Sequence, residues 1–329
     1  MPQTSPVLLQ GLSLDALAHD LGLAPARVQW RQIKSVKTER EDRQVLLLEH
    51  DDDAKLVVKQ EPGLSARRFD SLLESYGTLG RALGDDGAFR MVPVILARPE
   101  DRLVVLAHVP GLTAHARLEA AEIGLDQRAE VIESCAAWLG QLHRPSSVGV
   151  TAFEGGDVLH RVRKFARDVR EGVRPVAYPK RFLGLCAFMH KAVRGAEGAP
   201  TQQALRHGDA HSRNFIFGAE ALFAVDPTPR GAGPVALDIA RYMTRLAYSF
   251  GVAEEGAGHA GLARTDWQAL ATGYEHPWED DPVLTVFLGL QLLNDWVQMP
   301  DAREQRTSSQ QYRLSRLVTM FQLLREQCD

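Results

Sequence analysis

The chain has 329 residues, 45% hydrophobic and 24% charged, which suffices for one large domain or two lobes with a full core. The formal net charge of −4 and the pI of about 6.3 argue against a general nucleic-acid binder, which would show a basic stripe. The three cysteines contain no CxxC pair, so the sequence predicts neither a zinc knuckle nor a disulfide framework.

Neither the start of the chain nor its longest apolar stretch predicts a membrane segment. Residues 1–12 lack the basic start and apolar run of a signal peptide. Residues 283–293 are interrupted by Gln291 and are too few to cross a bilayer. We therefore expect a cytoplasmic protein with no membrane partner, and the sequence leaves its oligomeric state open.

The first quarter of the chain predicts a helix followed by antiparallel strands. Residues 13–21 carry leucines at the spacing of one helix face, with Ser13 as N-cap. Strands are predicted at residues 32–36, 45–48 and 56–60, with polar residues 38–42 joining the first two. The acidic run 51–53 is interpreted as a hairpin turn, because aspartate favours turns.

The third predicted strand carries a single lysine, Lys59. Lysine is rarely buried without a partner. The helical pattern that follows places Glu74 among apolar residues from Phe69 to Leu79. Since this helix is expected beside the strand, Glu74 is a candidate partner of Lys59. The alternative is a surface lysine on an edge strand and a solvated glutamate.

Two further strands, at residues 91–96 and 102–106, complete this part of the chain. The segment 107–111 ends it, because its last two residues are a Pro-Gly pair. The remainder is mainly helical. The sequence therefore divides into a lobe of residues 1–110, whose first 27 residues hold the leading helix, and a lobe of residues 111–329. Helices are predicted at residues 131–143, 158–173, 181–193, 239–250, 267–274, 283–297 and 312–327.

Two polar features of the helical part are given structural interpretations. His143 ends a predicted helix, where the helix dipole favours histidine. The acidic turn 276–281 is interpreted as a solvated helix cap, with contact to a cationic substrate as the alternative.

The most informative stretch is HGDAHSRN, residues 207–214, followed by two short apolar strands that end at Asp226. Asp209 and Asn214 are five residues apart on one loop, and Asp226 arrives from the second strand. Two carboxylates and an amide can therefore converge on one point. Magnesium takes oxygen ligands and shares them with phosphates. One acidic residue would remain to act on a hydroxyl, as in kinase-type phosphoryl transfer.

The run HGDAHSRN resembles the HGDxHxxN signature of the aminoglycoside phosphotransferase and choline kinase-like family. Asp226 stands where that family has its metal-binding aspartate, and Asp238 looks like its downstream D-[LI]-A element. The resemblance implies an α+β, protein-kinase-like fold of two lobes. The N-lobe would be a small antiparallel sheet with one key helix, and the C-lobe mainly helical.

The resemblance also implies roles for the residues of the motif. Asp209 is the expected catalytic residue, which orients the acceptor hydroxyl and accepts its proton. Asn214 and Asp226 are the expected magnesium ligands. His207 is expected to hold the shape of the loop, and Asp238 to brace it from behind.

In the N-lobe the resemblance implies four nucleotide-binding residues. Lys59, oriented by Glu74, would place the phosphates. The carbonyl of Ala107 and the amide of Val109 would contact adenine. The sequence departs from the family in having no glycine between residues 30 and 54, where the phosphate-covering loop is expected.

Lys34, Lys37 and backbone amides are the candidates for holding the phosphates in place of those glycines. The alternatives are a weaker grip on the phosphates and a plain solvated hairpin.

The resulting prediction is an enzyme that moves the γ-phosphate of ATP or GTP to a hydroxyl of a small molecule, with an aminoglycoside or related antibiotic among the candidate acceptors. A first alternative is a metal-dependent hydrolase that uses His207, Asp209 and His211, which alternate as ligands on a strand would. A second is a non-catalytic nucleotide-binding relative, which the missing glycines favour.

Overall fold

The computed structural model describes residues 9, 11–37, 42–51, 54–228, 231–252 and 257–328. The chain forms two compact units. Unit 1 comprises Met1–Gly111 with Gly218–Pro229, and unit 2 comprises Leu112–Phe217 with Arg230–Asp329. A short segment from the second half of the chain therefore belongs to unit 1. The contiguous lobes predicted from the sequence, 1–110 and 111–329, had placed this segment in the second lobe.

The chain contains both strands and helices, and the mixed α+β class predicted from the sequence is confirmed. The strands are β1 (Val28–Lys37), β2 (Asp42–His50), β3 (Lys55–Gln60), β4 (Phe89–Met91), β5 (Val94–Arg98), β6 (Leu103–Ala107), β7 (Leu112–Thr113), β8 (Gly149–Ala152), β9 (Pro200–Leu205), β10 (Phe215–Phe217), β11 (Leu222–Ala224) and β12 (Ala232–Pro234). The helices are α1 (Leu14–Asp20), α2 (Ala66–Leu83), α3 (Ala114–Glu122), α4 (Arg128–His143), α5 (Gly156–Arg170), α6 (Pro179–Ala196), α7 (Ala236–Phe250), α8 (Arg264–Tyr274), α9 (Pro282–Trp296) and α10 (Ser308–Cys328).

Unit 1 is built on a five-stranded antiparallel sheet with the spatial order β1–β2–β3–β6–β5. Its central strands are apolar because both of their faces are covered. Helix α1 begins at Ser13, whose hydroxyl accepts a hydrogen bond from the N–H of Ala16 at 3.3 Å. The core beneath α1 is aliphatic and consists of Leu9, Leu17, Leu46, Val58, Leu103 and Val105.

The single strand predicted at residues 91–96 is wrong, because two strands occur there. The structure divides residues 91–96 between β4 and β5, with Val92 and Pro93 between them. Proline has no N–H to donate to a ladder, which favours a break at this point. The two pieces have different partners, since β4 pairs in parallel with β11 while β5 pairs with β6.

Unit 2 contains helices α3 to α10 and two small sheets, in which β10 had been predicted from the sequence and β7, β8, β9 and β12 had not. One sheet has the antiparallel order β12–β9–β8, and the other pairs β7 with β10. Helices α4 and α8 pack closely at Gly273, where a Cβ atom would lie 2.0 Å from the carbonyl oxygen of Glu133. Among the described residues, no helix combines the length and apolarity needed to span a membrane.

Aromatic packing in unit 2 positions the start of β10. The ring of Phe215 lies edge-on to Trp138 of α4 at 5.4 Å and to Tyr242 of α7 at 6.1 Å between centroids. All three side chains are fully buried. Because Phe215 directly follows Asn214, this packing holds the end of the HGDAHSRN loop against α4 and α7.

Candidate active site

The loop of residues 206–214 joins β9 to β10 and closes with a single 3₁₀ turn at residues 212–214. Gly208 has φ of +78°, a conformation in which a side chain would be strained. His207 is fully buried, and its ring meets Trp138 at 5.8 Å and Phe215 at 5.9 Å between centroids. Its Nδ1 accepts a hydrogen bond from the N–H of Asp209 at 3.3 Å. His207 therefore anchors the loop from inside the core.

Asp238, in the first turn of α7, lies directly behind the loop. Its carboxylate accepts hydrogen bonds from the N–H of His207 at 2.7 Å and of Gly208 at 2.9 Å. His143 Nε2 lies 3.3 Å from the same carboxylate, and His143 Nδ1 lies 2.9 Å from the hydroxyl of Tyr274. Although burial raises the pKa of Asp238, the hydrogen bond from His143 outweighs it and lowers the pKa. Asp238 is thus a buried anion that fixes the backbone on which Asp209 stands.

Asp209 is partly buried and is held by two cationic or ionisable side chains. Arg241 of α7 donates from Nε at 2.6 Å and from a second guanidinium nitrogen, and His211 Nε2 lies 3.6 Å away. Burial acts to raise the pKa of Asp209, but nearby His211 and the charge of Arg241 hold it well below its usual range. Asp209 is therefore ionised at neutral pH and is a hydrogen-bond acceptor.

Asn214, the last residue of the motif, is buried within unit 2. Its Nδ2 donates to the backbone carbonyl of Asp209 at 3.0 Å, so the two ends of the loop are tied together. Its side-chain oxygen has no hydrogen-bond partner among the described residues. An amide oxygen held in this way is available to a hard cation.

In unit 1, Lys59 of β3 is buried between two carboxylates. Its Nζ lies 2.7 Å from Asp226 Oδ1 and 2.9 Å from Glu61 Oε1. Glu61 also accepts a hydrogen bond from Arg43 at 3.4 Å. The buried lysine is thus fully compensated, which is the condition for a charge to be tolerated in the interior.

Asp226 follows β11 in a left-handed conformation with φ of +58°. Tyr76 of α2 stabilises this turn, because its hydroxyl donates to Asp226 Oδ1 at 3.3 Å and accepts the N–H of Asp226 at 3.0 Å. Burial acts to raise the pKa of Asp226, but the charge of Lys59 outweighs it and lowers the pKa. Both protein contacts use Oδ1, so Oδ2 has no hydrogen-bond partner among the residues the structure describes.

The predicted pairing of Lys59 with Glu74 is absent in this structure, since within the described residues Lys59 pairs with Glu61 and Asp226. Glu74 is exposed on α2. The buried face of the helix includes Leu72 and Tyr76, and a residue two positions from Leu72 points about 200° away around the helix. Tyr76, and not Glu74, therefore lies on the buried face of α2.

The predicted adenine contacts lie at the end of β6. The N–H of Ala107 donates to the carbonyl of Pro93 at 3.0 Å. The N–H of half-buried Val109 donates to no other described residue.

Lys34 and Lys37, which were predicted as alternative phosphate contacts, are exposed on β1. Residues 38–41 lie outside the described residues, as do Asp52 and Asp53 of the predicted turn.

Metal-site geometry does not support the hydrolase alternative. No group of three or more histidine, cysteine or acidic side chains arranged to hold a metal occurs in the described ranges. His207 Nδ1 and His211 Nδ1 instead accept backbone N–H groups of Asp209 and Arg213.

Comparison with known proteins assigns the chain to a family. Residues 32–272 match the model of the phosphotransferase enzyme family, APH, which covers most of the chain. The protein belongs to this family. The resemblance drawn from HGDAHSRN is thereby confirmed. A search among curated proteins found no match.

Solved structures of related fold include kinases of several small molecules. Amicoumacin kinase hAmiN, in complex with AMP-PNP, Ca²⁺ and Ami, is 13% identical with a TM-score of 0.58, over 94% of this chain and 93% of that one. A choline/ethanolamine kinase family protein from Mesorhizobium loti is 13% identical with a TM-score of 0.57, over 94% of each chain. The streptomycin–ATP–APH(2")-IIa ternary complex is 12% identical with a TM-score of 0.56, over 96% of this chain and 99% of that one. The predicted protein-kinase-like fold is confirmed.

Proposed function

We propose that the protein transfers the γ-phosphate of ATP or GTP, with magnesium, to a hydroxyl group of a small molecule. The observation that carries this proposal is Asp209, kept ionised by Arg241 in the signature loop of a chain that belongs to the phosphotransferase enzyme family. The loop is fixed from behind by Asp238 and closed by Asn214, so the carboxylate is positioned before any substrate binds.

Asp209 would act on the acceptor hydroxyl. As the acceptor oxygen bonds to the γ-phosphorus, the bond from that phosphorus to the β–γ bridging oxygen breaks, and the hydroxyl proton leaves toward Asp209. The lowered pKa of Asp209 makes its carboxylate a weak base. Its main contribution would therefore be to orient the hydroxyl, with the proton passing on to solvent.

Unit 1 would bind the nucleotide. Lys59 is the one buried lysine among the described residues, and its charge suits it to the phosphates. The unsatisfied N–H of Val109 and the carbonyl of Ala107 would contact the adenine edge as a donor and an acceptor. Glu61, rather than Glu74, would orient Lys59, because Glu61 is its partner in this structure.

Asn214 and Asp226 would be the ligands of the magnesium ion. Asn214 and Asp226 each keep one side-chain oxygen free of hydrogen bonds to the described residues. Oxygen donors of this kind, together with phosphate oxygens, form the usual magnesium shell. The ion would neutralise charge on the transferred phosphoryl group.

The proposal is tested by measuring nucleotide consumption with magnesium across a panel of small alcohols, aminosugars and antibiotics, with ATP and GTP compared. Amicoumacin and streptomycin belong in the panel because the related structures bind them. We expect acceptor-dependent consumption that Asp209→Asn removes. Thermal unfolding with magnesium–ATP and with zinc separates the alternatives. Stabilisation by zinc alone would support the hydrolase, and stabilisation by nucleotide without turnover of any acceptor would support the non-catalytic relative.

A further inference from the structure

A cavity of about 560 Å³ lies within unit 2 against the signature loop. His211, Ser212 and Arg213 of the loop form part of its wall. His211 Nε2 is also 3.6 Å from the carboxylate of Asp209, so the cavity lies one side chain away from the proposed catalytic residue. Its volume is in the range of small-molecule binding sites, roughly 300–1,000 Å³. This is where an acceptor for Asp209 would bind.

The lining of this cavity is rich in arginine. Arg213 comes from the loop, Arg245 from α7, and Arg313 and Arg316 from α10. Arg245 forms an ion pair with Asp295 at 3.6 Å. The other three have no carboxylate at ion-pair distance among the described residues. Arg213 is exposed and Arg313 and Arg316 are half-buried, so these guanidinium groups are accessible to an anionic ligand.

Neutral groups hold these arginines in place instead. Arg213 donates to His115 Nε2 at 2.5 Å, and burial followed by the charge of Arg213 lowers the pKa of His115, so this imidazole is neutral. Arg316 donates to the carbonyl oxygens of Ala247 at 3.4 Å and Tyr248 at 3.3 Å. Contacts of this kind orient a guanidinium without neutralising its charge.

Aromatic rings support the α10 arginines from the other side. The guanidinium of Arg316 lies 3.7 Å from the ring centroid of Tyr312, and that of Arg313 lies 4.7 Å from the ring centroid of Tyr248. Stacking on a ring fixes the plane of a guanidinium while leaving N–H groups along its edge to bind a ligand.

Two acids in the same wall do not cancel this charge. Glu122 pairs with Arg128, outside the cavity lining, at 2.9 Å. Glu119 faces neutral His115 at 3.4 Å, and 64% of its side chain is exposed, where water screens its charge. Among the described residues, three guanidinium groups without an acidic partner at ion-pair distance therefore share the cavity with one exposed carboxylate that has no cationic partner.

We propose that the acceptor is a small hydroxyl compound that also carries an oxyanion, a carboxylate or a phosphate ester, bound by Arg213, Arg313 and Arg316. The proposal rests on the proposed function, because it names the substrate class of the same site. Arginine matches such groups with paired N–H donors. A polycationic aminoglycoside would instead meet like charge, which destabilises binding.

The acidic turn predicted as a contact for cationic substrates lies elsewhere in unit 2. Glu279 and Asp280 line a second cavity, of about 630 Å³, whose wall contains no residue of the signature loop. This cavity supplies a matched control, because its lining includes Arg264. A substitution there removes the same charge from the same unit without touching the cavity beside Asp209.

The test compares four compounds that share a sugar ring and differ in charge: glucose, glucosamine, glucuronate and glucose 6-phosphate. Nucleotide consumption and calorimetric binding are measured for each. We expect glucuronate or glucose 6-phosphate to bind about tenfold or more tightly than glucose, since a charge-assisted hydrogen bond contributes at least that much. Glucosamine should bind more weakly than glucose. The two anions distinguish a carboxylate acceptor from a phosphate ester.

Variants of the arginines test whether they bind the anion. Arg313→Gln and Arg316→Gln should each weaken binding of the preferred anion about tenfold while nucleotide affinity changes less than twofold. Arg316→Lys should restore part of the affinity, which separates lost charge from a distorted helix. Arg264→Gln should match the wild-type protein.

Equal or tighter binding of glucose or glucosamine, or anion binding that the Arg313 and Arg316 variants leave unchanged, would overturn the inference. Transfer to glucosamine or a neutral alcohol would do so while leaving the proposed function intact. Failure to bind magnesium–ATP, measured on the same preparation, would contradict the proposed function instead.

Discussion

Asp226 in unit 1 and Asp209 in unit 2 are both partly buried carboxylates with lowered pKa values, but different kinds of contact keep them ionised. Asp226 depends on Lys59 and Tyr76, which are 167 and 150 positions away in the chain. The backbone of Asp209 is fixed inside its own loop by His207 and Asn214, and its charge partner Arg241 lies 32 positions away.

The local contacts of Asp209 and the distant contacts of Asp226 show which part of the site the motif itself determines and which part depends on the rest of the fold. A motif of eight residues encodes the shape of its own loop, because nearly all of the backbone contacts lie within it or behind it. The surroundings of Asp226 require β3, α2 and the segment after β11 to be assembled first. Substitutions at the two sites should therefore fail in different ways.

The largest effect is expected at Asp226. Asp226→Ala should abolish turnover of magnesium–nucleotide while the protein remains folded, since Lys59 keeps Glu61 as a partner. The measurements are steady-state turnover and circular dichroism. The matched variant Asp226→Asn keeps the hydrogen bond with Tyr76 and an oxygen donor but loses the charge, and it should lower turnover strongly if the carboxylate binds metal. Near-normal turnover in either variant would contradict the metal assignment.

Asp209→Asn should reduce transfer roughly a hundredfold to ten-thousandfold and leave nucleotide affinity largely unchanged. The amide preserves the shape of the side chain and removes the charge that Arg241 and His211 stabilise. Turnover, nucleotide affinity and metal content are measured on one preparation. Loss of bound metal would favour the hydrolase, and unchanged turnover would contradict a catalytic role for Asp209 of any kind.

Much of the fold could be predicted because it depends on local periodicity. Short apolar runs between polar turns marked most strands of unit 1, and the spacing of apolar residues marked the long helices of unit 2. The strand β10 was predicted, but β7, β8, β9 and β12 were missed because these short segments contain no run of apolar residues. Proline at residue 93 was the available signal for the break between β4 and β5.

The candidate site was predictable to the extent that its residues belong to the signature. Two missed residues had local signals. Glu61 lies two positions beyond Lys59, which puts both on one side of an extended chain. Arg241 lies three positions after Asp238, hence on the same face of α7. Tyr76 was recognised only as an apolar residue, because no pattern shows where its hydroxyl binds. The arginine-lined cavity depends on α7 and α10 packing beside the loop, which no single stretch of sequence encodes.

Asp238 tests whether the loop of unit 2 is held as rigidly as its contacts indicate. Asp238→Ala should lower the free energy of unfolding by about 3–5 kcal/mol, because it removes the carboxylate that accepts the N–H groups of His207 and Gly208 and that lies beside His143 Nε2. Urea denaturation measures this change. Asp301→Ala, which removes an exposed carboxylate, is the control and should alter stability by no more than about 0.5 kcal/mol.

The pH dependence of stability follows from the lowered pKa of Asp238. Its folded-state pKa is below the unfolded value of 3.8, so its contribution to stability is fully present above that value and is lost as pH falls toward the folded pKa. Asp238→Asn should therefore flatten the loss of stability below about pH 5 relative to the wild-type protein. An unchanged acid limb would mean that Asp238 is not ionised in the folded state.

The smallest effect, and the sharpest test of unit 1, concerns the partner of Lys59. Lys59→Ala should weaken nucleotide binding, and Glu61→Gln should do so more mildly, because the lysine loses one of its two carboxylates. Glu74→Gln should change nucleotide affinity by no more than about 0.5 kcal/mol, since Glu74 is exposed. Double-mutant cycles on the binding free energy should give a coupling of about 0.5–3 kcal/mol for Lys59 with Glu61 and additivity for Lys59 with Glu74.

The reverse result would be equally informative. Coupling of Lys59 to Glu74, with Glu61 additive, would mean that nucleotide binding rotates α2 away from the arrangement in which Tyr76 binds Asp226. Tyr76→Phe separates the two cases. It removes the hydroxyl that donates to Asp226 and accepts its N–H. If that contact belongs to the nucleotide-binding state, Tyr76→Phe weakens nucleotide binding. If the contact must break before α2 can bring Glu74 to Lys59, the same variant strengthens it.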